Sequence, residues 1–349
     1  MTFRMPFAGE GEFFTPDSVL SHCYGALLPM FTTEEATVLR LVCKEFKDTV
    51  AEFPWRDMDT VIHGSVAAWR ACFPKARRAN INQEVWRQGR RKPATDTDFH
   101  YLEGLEWLDM TSCTSVTDAA FVHLKGITTL LMGRCSQVEI TDAAFARLQG
   151  SIKSLDMCHS SPSVTGAAFV HLRGIKELFM KFCRQDTICD ASFEHLVGLE
   201  TLDMGGCNQL TITSGAFQYL KGIKSLTMWG CTQDTITDAA FTHLKGIHTL
   251  NMAYCDQPTI SDEALVPLKG VHSLCLWGCT QLTSAALPLC KGVKWLNIMN
   301  TRLLLTDDSL NGVEWLCMHG CSQEAIDAVK ARGIAVQEGF KGYFPSFRP

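Results

Sequence analysis

"GIHTLNMAYC" occupies residues 246–255, and close copies recur along the chain. They read "GLEWLDMTSC" from 104, "GITTLLMGRC" from 126, "GIKSLTMWGC" from 222 and "GVHSLCLWGC" from 270. The Leu that precedes each Met or its equivalent falls at 108, 130, 155, 178, 202, 226, 250, 274, 296 and 316. A period of 20–25 residues repeated ten times marks a solenoid, in which stacked units complete one another's cores. Leu250 and Met252 alternate with polar neighbours, which predicts a short strand with one buried face.

The second half of each unit predicts a helix. In "TITDAAFTHLKG", Thr237 is placed to cap and Asp238 suits the first turn. Ala240, Phe241 and Leu244 supply an apolar face, and Gly246 a left-handed stop. Glycines at 104, 126, 150, 174, 198, 222, 270, 292 and 312 share that place. Gly333 repeats it, so residues 324–337 predict one more helix and strand.

These repeats resemble leucine-rich repeats, whose LxxLxLxxN/C strand signature is met by Ile127, Leu130, Met132 and Cys135. "ITDAAF" is similar to the cysteine-containing subclass. The resemblance implies a leucine-rich-repeat horseshoe, a right-handed parallel β/α solenoid, over residues 104–337. It also implies that Cys113, Cys135, Cys183, Cys207, Cys231, Cys255, Cys279 and Cys321 are small inward side chains at the ninth position. Ser160 and Thr301 replace Cys in two copies, which suits a structural column better than a metal ladder. Cys275/Cys279 and Cys317/Cys321 have C-x₃-C spacing, but strand alternation would turn their members apart. No metal or cofactor is expected.

The repeat stops before residue 104. "RLVCKEFKDTV…PWRD" resembles the F-box, with Val42, Cys43, Lys44 and Trp55 matching and Phe46 where Trp is common. "TPDSVL" resembles its opening through Pro16, Val19 and Leu20; the acidic spacing is shifted. An all-α F-box-like domain is assigned to 12–56. Its adaptor-binding residues would be Pro16, Val19, Leu20, Leu39, Val42, Cys43, Phe46 and Trp55. A plain helical cap on the solenoid is the other reading. Residues 57–103 form a degenerate first repeat and linker, with Ala79 and Ile81 in its strand. Residues 338–349 are an aromatic tail, read as an end cap or a plug on the concave face.

Function follows by exclusion and by resemblance. Net charge is −5, so nucleic acid is not an expected partner. One basic stretch, Arg70 to Lys92, reads as a solvated loop, a nuclear address or a site for an acidic partner. No apolar run predicts a secretory signal or a membrane span, and sixteen cysteines suggest reduced thiols in cytosol or nucleus. Phosphate-loop, nucleophile-elbow and zincin motifs are absent, so no enzyme is expected. The histidines at 123, 171, 195 and 243 share one helical slot and read as an outer face.

The third, fifth and seventh positions of the strand signature face the concave sheet, and the eighth lies at its rim. They hold Trp107, Phe179, Phe182, Trp229, Tyr254, Trp277, Trp295 and Trp315, a candidate target-binding surface. Aromatics stacked merely as sheet cover are the alternative. The resemblance implies a substrate receptor of an SCF-type ubiquitin ligase, bound to a Skp-type adaptor and cullin complex. A stand-alone interaction or inhibitory repeat module is the rival. Chains of this kind occur in eukaryotes and in large DNA viruses, which places the protein in the cytoplasm or nucleus, of a host cell if viral.

Overall fold

The computed structural model describes residues 26–83, 93–303, 310–318 and 323–337. The expectations on Pro16, Val19, Leu20, Cys321, the 338–349 tail and the basic residues 84–92 lie outside them. The chain divides into two compact units, Met1–Asn80 and Ile81–Pro349.

The first unit is helical. Thr32 opens the helix Thr33–Leu39 with a capping box: its Oγ accepts from the Glu35 amide, and its own amide donates to the Glu35 carboxylate. The Asp57 carboxylate accepts from the Thr33 amide at 2.7 Å and from its hydroxyl at 2.9 Å. The run "VLRLVCKEFKDTV" is not one helix. It breaks after Leu39, because Cys43 is extended (φ −158°) and its sulfur caps a new helix, Lys44–Glu52. Ser65 caps a third helix, Val66–Cys72, and β1 (Arg78–Asn80) follows with Ala79 buried at its centre. Ile81 lies just beyond β1 rather than within it. Trp55 fills the core. It is 1% exposed, donates from Nε1 to the Val50 carbonyl at 2.8 Å, and meets Phe53 and Phe73 edge-on.

The second unit is a leucine-rich-repeat solenoid. Its strands are β2 (Trp107–Asp109), β3 (Thr129–Leu131), β4 (Ser154–Asp156), β5 (Glu177–Phe179), β6 (Thr201–Asp203) and β7 (Ser225–Thr227). They continue as β8 (Thr249–Asn251), β9 (Ser273–Cys275), β10 (Trp295–Asn297), β11 (Trp315–Cys317) and β12 (Ala335–Gln337). Each pairs in parallel with the next in chain order. The ten central leucines align in register, from Leu108 to Leu316. The predicted last unit is present as the helix Gln323–Lys330 followed by β12.

The returning segments are mostly 3₁₀ helices, as at Gly166–Leu172, Asp190–Leu196 and Ser214–Leu220. Among the described arcs between β2 and β10, only Asp142–Ala146 and Asp238–Phe241 are α-helical. A 3₁₀ turn stacks residues i and i+3 on one side. The Phe and Leu of each "FxxL" are three apart, and Phe169/Leu172, Phe193/Leu196 and Phe217/Leu220 are all buried. The tighter helix therefore suits the spacing of the inward pair. Each arc ends at a glycine with φ near +80°, where a side chain would be strained.

Three side-chain ladders join the rungs. The thiols of Cys135, Cys183, Cys207, Cys231, Cys255 and Cys279 donate to the Met carbonyl of the preceding strand, at 3.1–3.3 Å. Cys113 makes the equivalent bond to Ile81. All seven are fully buried free thiols. Gln137, Gln209, Gln233 and Gln281 donate to carbonyl oxygens of the preceding Cys. In the third ladder the Asp of "TDAA" accepts both the amide and the hydroxyl of the next repeat's capping residue. Asp118 does so from Thr141, Asp142 from Thr165, Asp190 from Thr213 and Asp238 from Ser261. Where Gly166 replaces the Asp, Cys189 replaces the Thr. A Cβ at 166 would lie 2.2 Å from the Thr187 carbonyl, so close packing of the two arcs excludes the pair.

Candidate functional site

Alternation along each three-residue strand sends the fourth position inward and the third and fifth outward. The fifth position follows a pattern of its own. Asp109, Asp156, Asp203, Asn251 and Asn297 occur on every second rung. In each, Oδ1 accepts from the backbone amide two residues on, at 2.9–3.2 Å. This Asx turn steers the chain out of the strand. The eighth position, three residues after the fifth, is left-handed on every rung from β2 to β10. Glycines at 206, 230 and 278 take it easily, whereas Arg134, His159, Phe182 and Tyr254 take it at φ 54–60°. The glycines sharing that column were the available sequence signal.

The aromatic side chains rest on small neighbours. A Cβ on Gly206 would lie 2.6 Å from the Phe182 ring, and one on Gly278 2.6 Å from Tyr254. On Gly205 it would lie 2.3 Å from the Trp229 indole. The rings pair across rungs: Phe182 with Trp229 at 5.3 Å, Tyr254 with Trp277 at 4.8 Å, and Trp295 with Trp315 at 5.0 Å. His159 stacks on Phe182, with the Arg184 guanidinium also against that ring. Trp107, on β2, pairs with none of these rings among the described residues. Tyr254 is 42% exposed, and Phe182 and the five tryptophans are half-buried. Phe179 is not available: it is 6% exposed and belongs to the packed sheet.

Charges collect on the β2–β6 half. The Lys181 ammonium meets Asp203 at 2.9 Å. Burial raises the Asp203 pKa above the ordinary carboxylate value although Lys181 opposes this. Burial pulls the Lys181 ammonium down, but Asp203 outweighs it and leaves its pKa raised. Burial, then Arg134 and Arg184, lower that of His159. Among the described residues no group of three metal-ligating side chains converges.

The helical unit presents a different surface. Val42 is 64% exposed, Cys43 is exposed, and Leu39 and Phe46 are half-buried. Trp55 offers nothing to a partner, because it holds the core. Met30, Val38 and Leu41, 77%, 65% and 84% exposed, join Val42 as apolar side chains left in solvent. Val42 was among the expected adaptor-binding residues, whereas Met30, Val38 and Leu41 were not.

No family model matches the chain, and no curated protein matches it. Solved structures do. A TLR13 complex with single-stranded RNA superimposes with TM-score 0.54 at 17% identity, over 73% of this chain and 37% of that one. Toll bound to Spatzle, from Drosophila, gives 0.52 at 12%, over 74% and 42%. An internalin from Listeria monocytogenes gives 0.51 at 16%, over 71% and 76%. The chain thus spans less than half of the first two proteins. At these identities the likeness establishes the leucine-rich-repeat fold.

Proposed function

We propose that this protein is the substrate-recognition subunit of an SCF-type ubiquitin ligase, with no catalytic centre of its own. The helical unit docks a Skp-type adaptor joined to a cullin, in the cytoplasm or nucleus. The sheet face of the repeats holds a target protein. The observation that carries the reading is the exposure of Met30, Val38, Leu41 and Val42 within one short stretch of the helical unit. Large apolar side chains left in solvent are candidates for an interaction surface. The F-box resemblance of the Val42–Phe46 segment supplies the partner, and the leucine-rich-repeat scaffold supplies the binding face.

The test is capture of purified Skp-type adaptor by the full chain and by Val42→Asp and Leu41→Asp. Both side chains are exposed, so the substitutions should leave folding intact. The expected result is adaptor binding lost in both variants, with circular dichroism and melting unchanged. Failure of the wild-type chain to bind, or undiminished binding by both variants, overturns the ligase assignment and leaves a stand-alone interaction module.

A further inference from the structure

The two halves of the sheet face differ in charge. At the third, fifth, seventh and eighth signature positions, rungs β2–β6 carry Asp109, Arg134, Asp156, Glu177, Lys181 and Asp203. Rungs β7–β11 carry no charged residue at those positions among the described residues. The fold does not demand this difference. Asp109, Asp156 and Asp203 make the same Asx turn as Asn251 and Asn297. Aspartate would serve the turn equally at 251 and 297. Asparagine removes two charges, and at the half-buried Asn251, whose Oδ1 is committed to the backbone, it leaves Nδ2 as the group able to donate to a ligand; Asn297 is buried.

The uncharged half also has a period. Trp229 follows β7 and Trp277 follows β9, with β8 paired between them. Asn251 and Asn297 repeat at the same two-rung interval, on β8 and β10. Two strand spacings are ~9.6 Å. A polyproline II helix repeats every three residues, or ~9.3 Å. A peptide in that form, laid across the strands, brings equivalent rings to Trp229 and Trp277 and a carbonyl to Asn251 between them. Proline lacks an amide N–H, so such a backbone is rich in acceptors and poor in donors. It complements a face of indoles, amides and hydroxyls without carboxylates.

We infer that the β7–β11 half of the sheet face binds an uncharged, proline-rich segment of a target protein in polyproline II form. Trp229, Tyr254 and Trp277 pack its rings, and the half-buried Asn251 donates to its carbonyls. The inference rests on the sheet face being the target site.

The test uses the full chain and fluorescence anisotropy with three labelled twelve-residue peptides. One is proline-rich and uncharged, one is its counterpart with Glu at every third position, and one is an amphipathic helix former. The variant is Asn251→Asp, which keeps the Asx turn and adds charge to the face at a half-buried position. Expected are saturable binding of the uncharged peptide, at least about ten-fold weaker binding of the Glu peptide, and a similar loss in the variant at unchanged melting temperature. No saturable binding of the proline-rich peptide, equal affinity in the variant, or preference for the helix former overturns the inference. Adaptor capture, measured in parallel, separates the two readings. If capture persists without peptide binding, only this inference falls; if the peptide binds without capture, only the ligase assignment falls.

Discussion

Alkali should unfold the repeats steeply, and the thiol ladder sets how steeply. Burial raises the pKa of every described column cysteine; Cys135, Cys231 and Cys279 are pushed up to about 12. An unfolded thiol ionises near pH 8.5. The folded pKa is raised, so the neutral thiol's contribution is complete below the unfolded value and declines as pH climbs towards the folded one. Each thiol that ionises only on unfolding removes ~1.4 kcal/mol per pH unit. Seven acting together remove roughly 10 kcal/mol per pH unit above about pH 9, comparable to a domain's whole stability. The assay is urea unfolding under reducing conditions at pH 7.5, 9, 9.5 and 10. Cys231→Ala provides an internal check. At pH 7.5 it should lose ~1–2 kcal/mol, for its hydrogen bond to the Met204 carbonyl and for the sulfur volume. Its stability should then fall with pH less steeply than wild type, by ~1.4 kcal/mol per unit. Equal slopes, or a stability unchanged between pH 8 and 10, would refute the account of the buried, neutral thiols.

Three further outcomes are expected. Asp190→Ala should cost ~2–3 kcal/mol, because it strips partners from the Thr213 amide and hydroxyl; the double change with Thr213→Ala should cost less than the sum of the single changes, and strict additivity in urea melts would disprove their coupling. Gly206→Ala, whose Cβ meets the Phe182 ring, should destabilise more than Gly230→Ala, which has open space and pays only for its φ of +64°; equal losses would show that the ring does not lie there. Burial raises the Asp57 carboxyl, but hydrogen bonds from Thr60, Thr33 and Asp59 outweigh it and leave the pKa lowered. Its contribution is therefore complete above about pH 4 and lost as pH falls through the lowered folded value, so the stability gap between wild type and Asp57→Asn should be open at pH 5 and narrow as the pH is lowered towards 3.

What could be read from the sequence was whatever a single rung decides for itself. The leucine register, the inward cysteines and the cap glycines depend on local spacing, and each is found where the repeat puts it. What could not be read depends on two rungs meeting. Asp238 looked like an ordinary first-turn acid, and its acceptance of both Ser261 donors appears only once the arcs are stacked. The Asp/Asn alternation was present in the sequence, but its meaning needed the turn geometry. Phe179 and Phe182 sit three residues apart and looked equivalent, yet one is packed into the sheet and the other rides on Gly206. Trp55 was assigned outward by resemblance, although its bond to Val50 and the rings of Phe53 and Phe73 make it the centre of its unit.

The ladders share a direction. Cys207 donates to Met180, Gln209 to Cys183 and Thr213 to Asp190, each reaching a residue 23–27 positions earlier in the chain. A ribosome delivers the rungs in the same order. Each newly made rung emerges carrying its donors, and the carbonyls and carboxylates that receive them are already fixed in the rung before it. In these three ladders growth at that edge needs nothing from sequence still to be translated; the sheet amides of Met204 and Gly206, which donate to Thr227 and Trp229 on the next rung, are left to water during a pause in synthesis. The molecule is suited to being laid down course by course behind the exit tunnel, rather than gathered from a finished, unfolded chain.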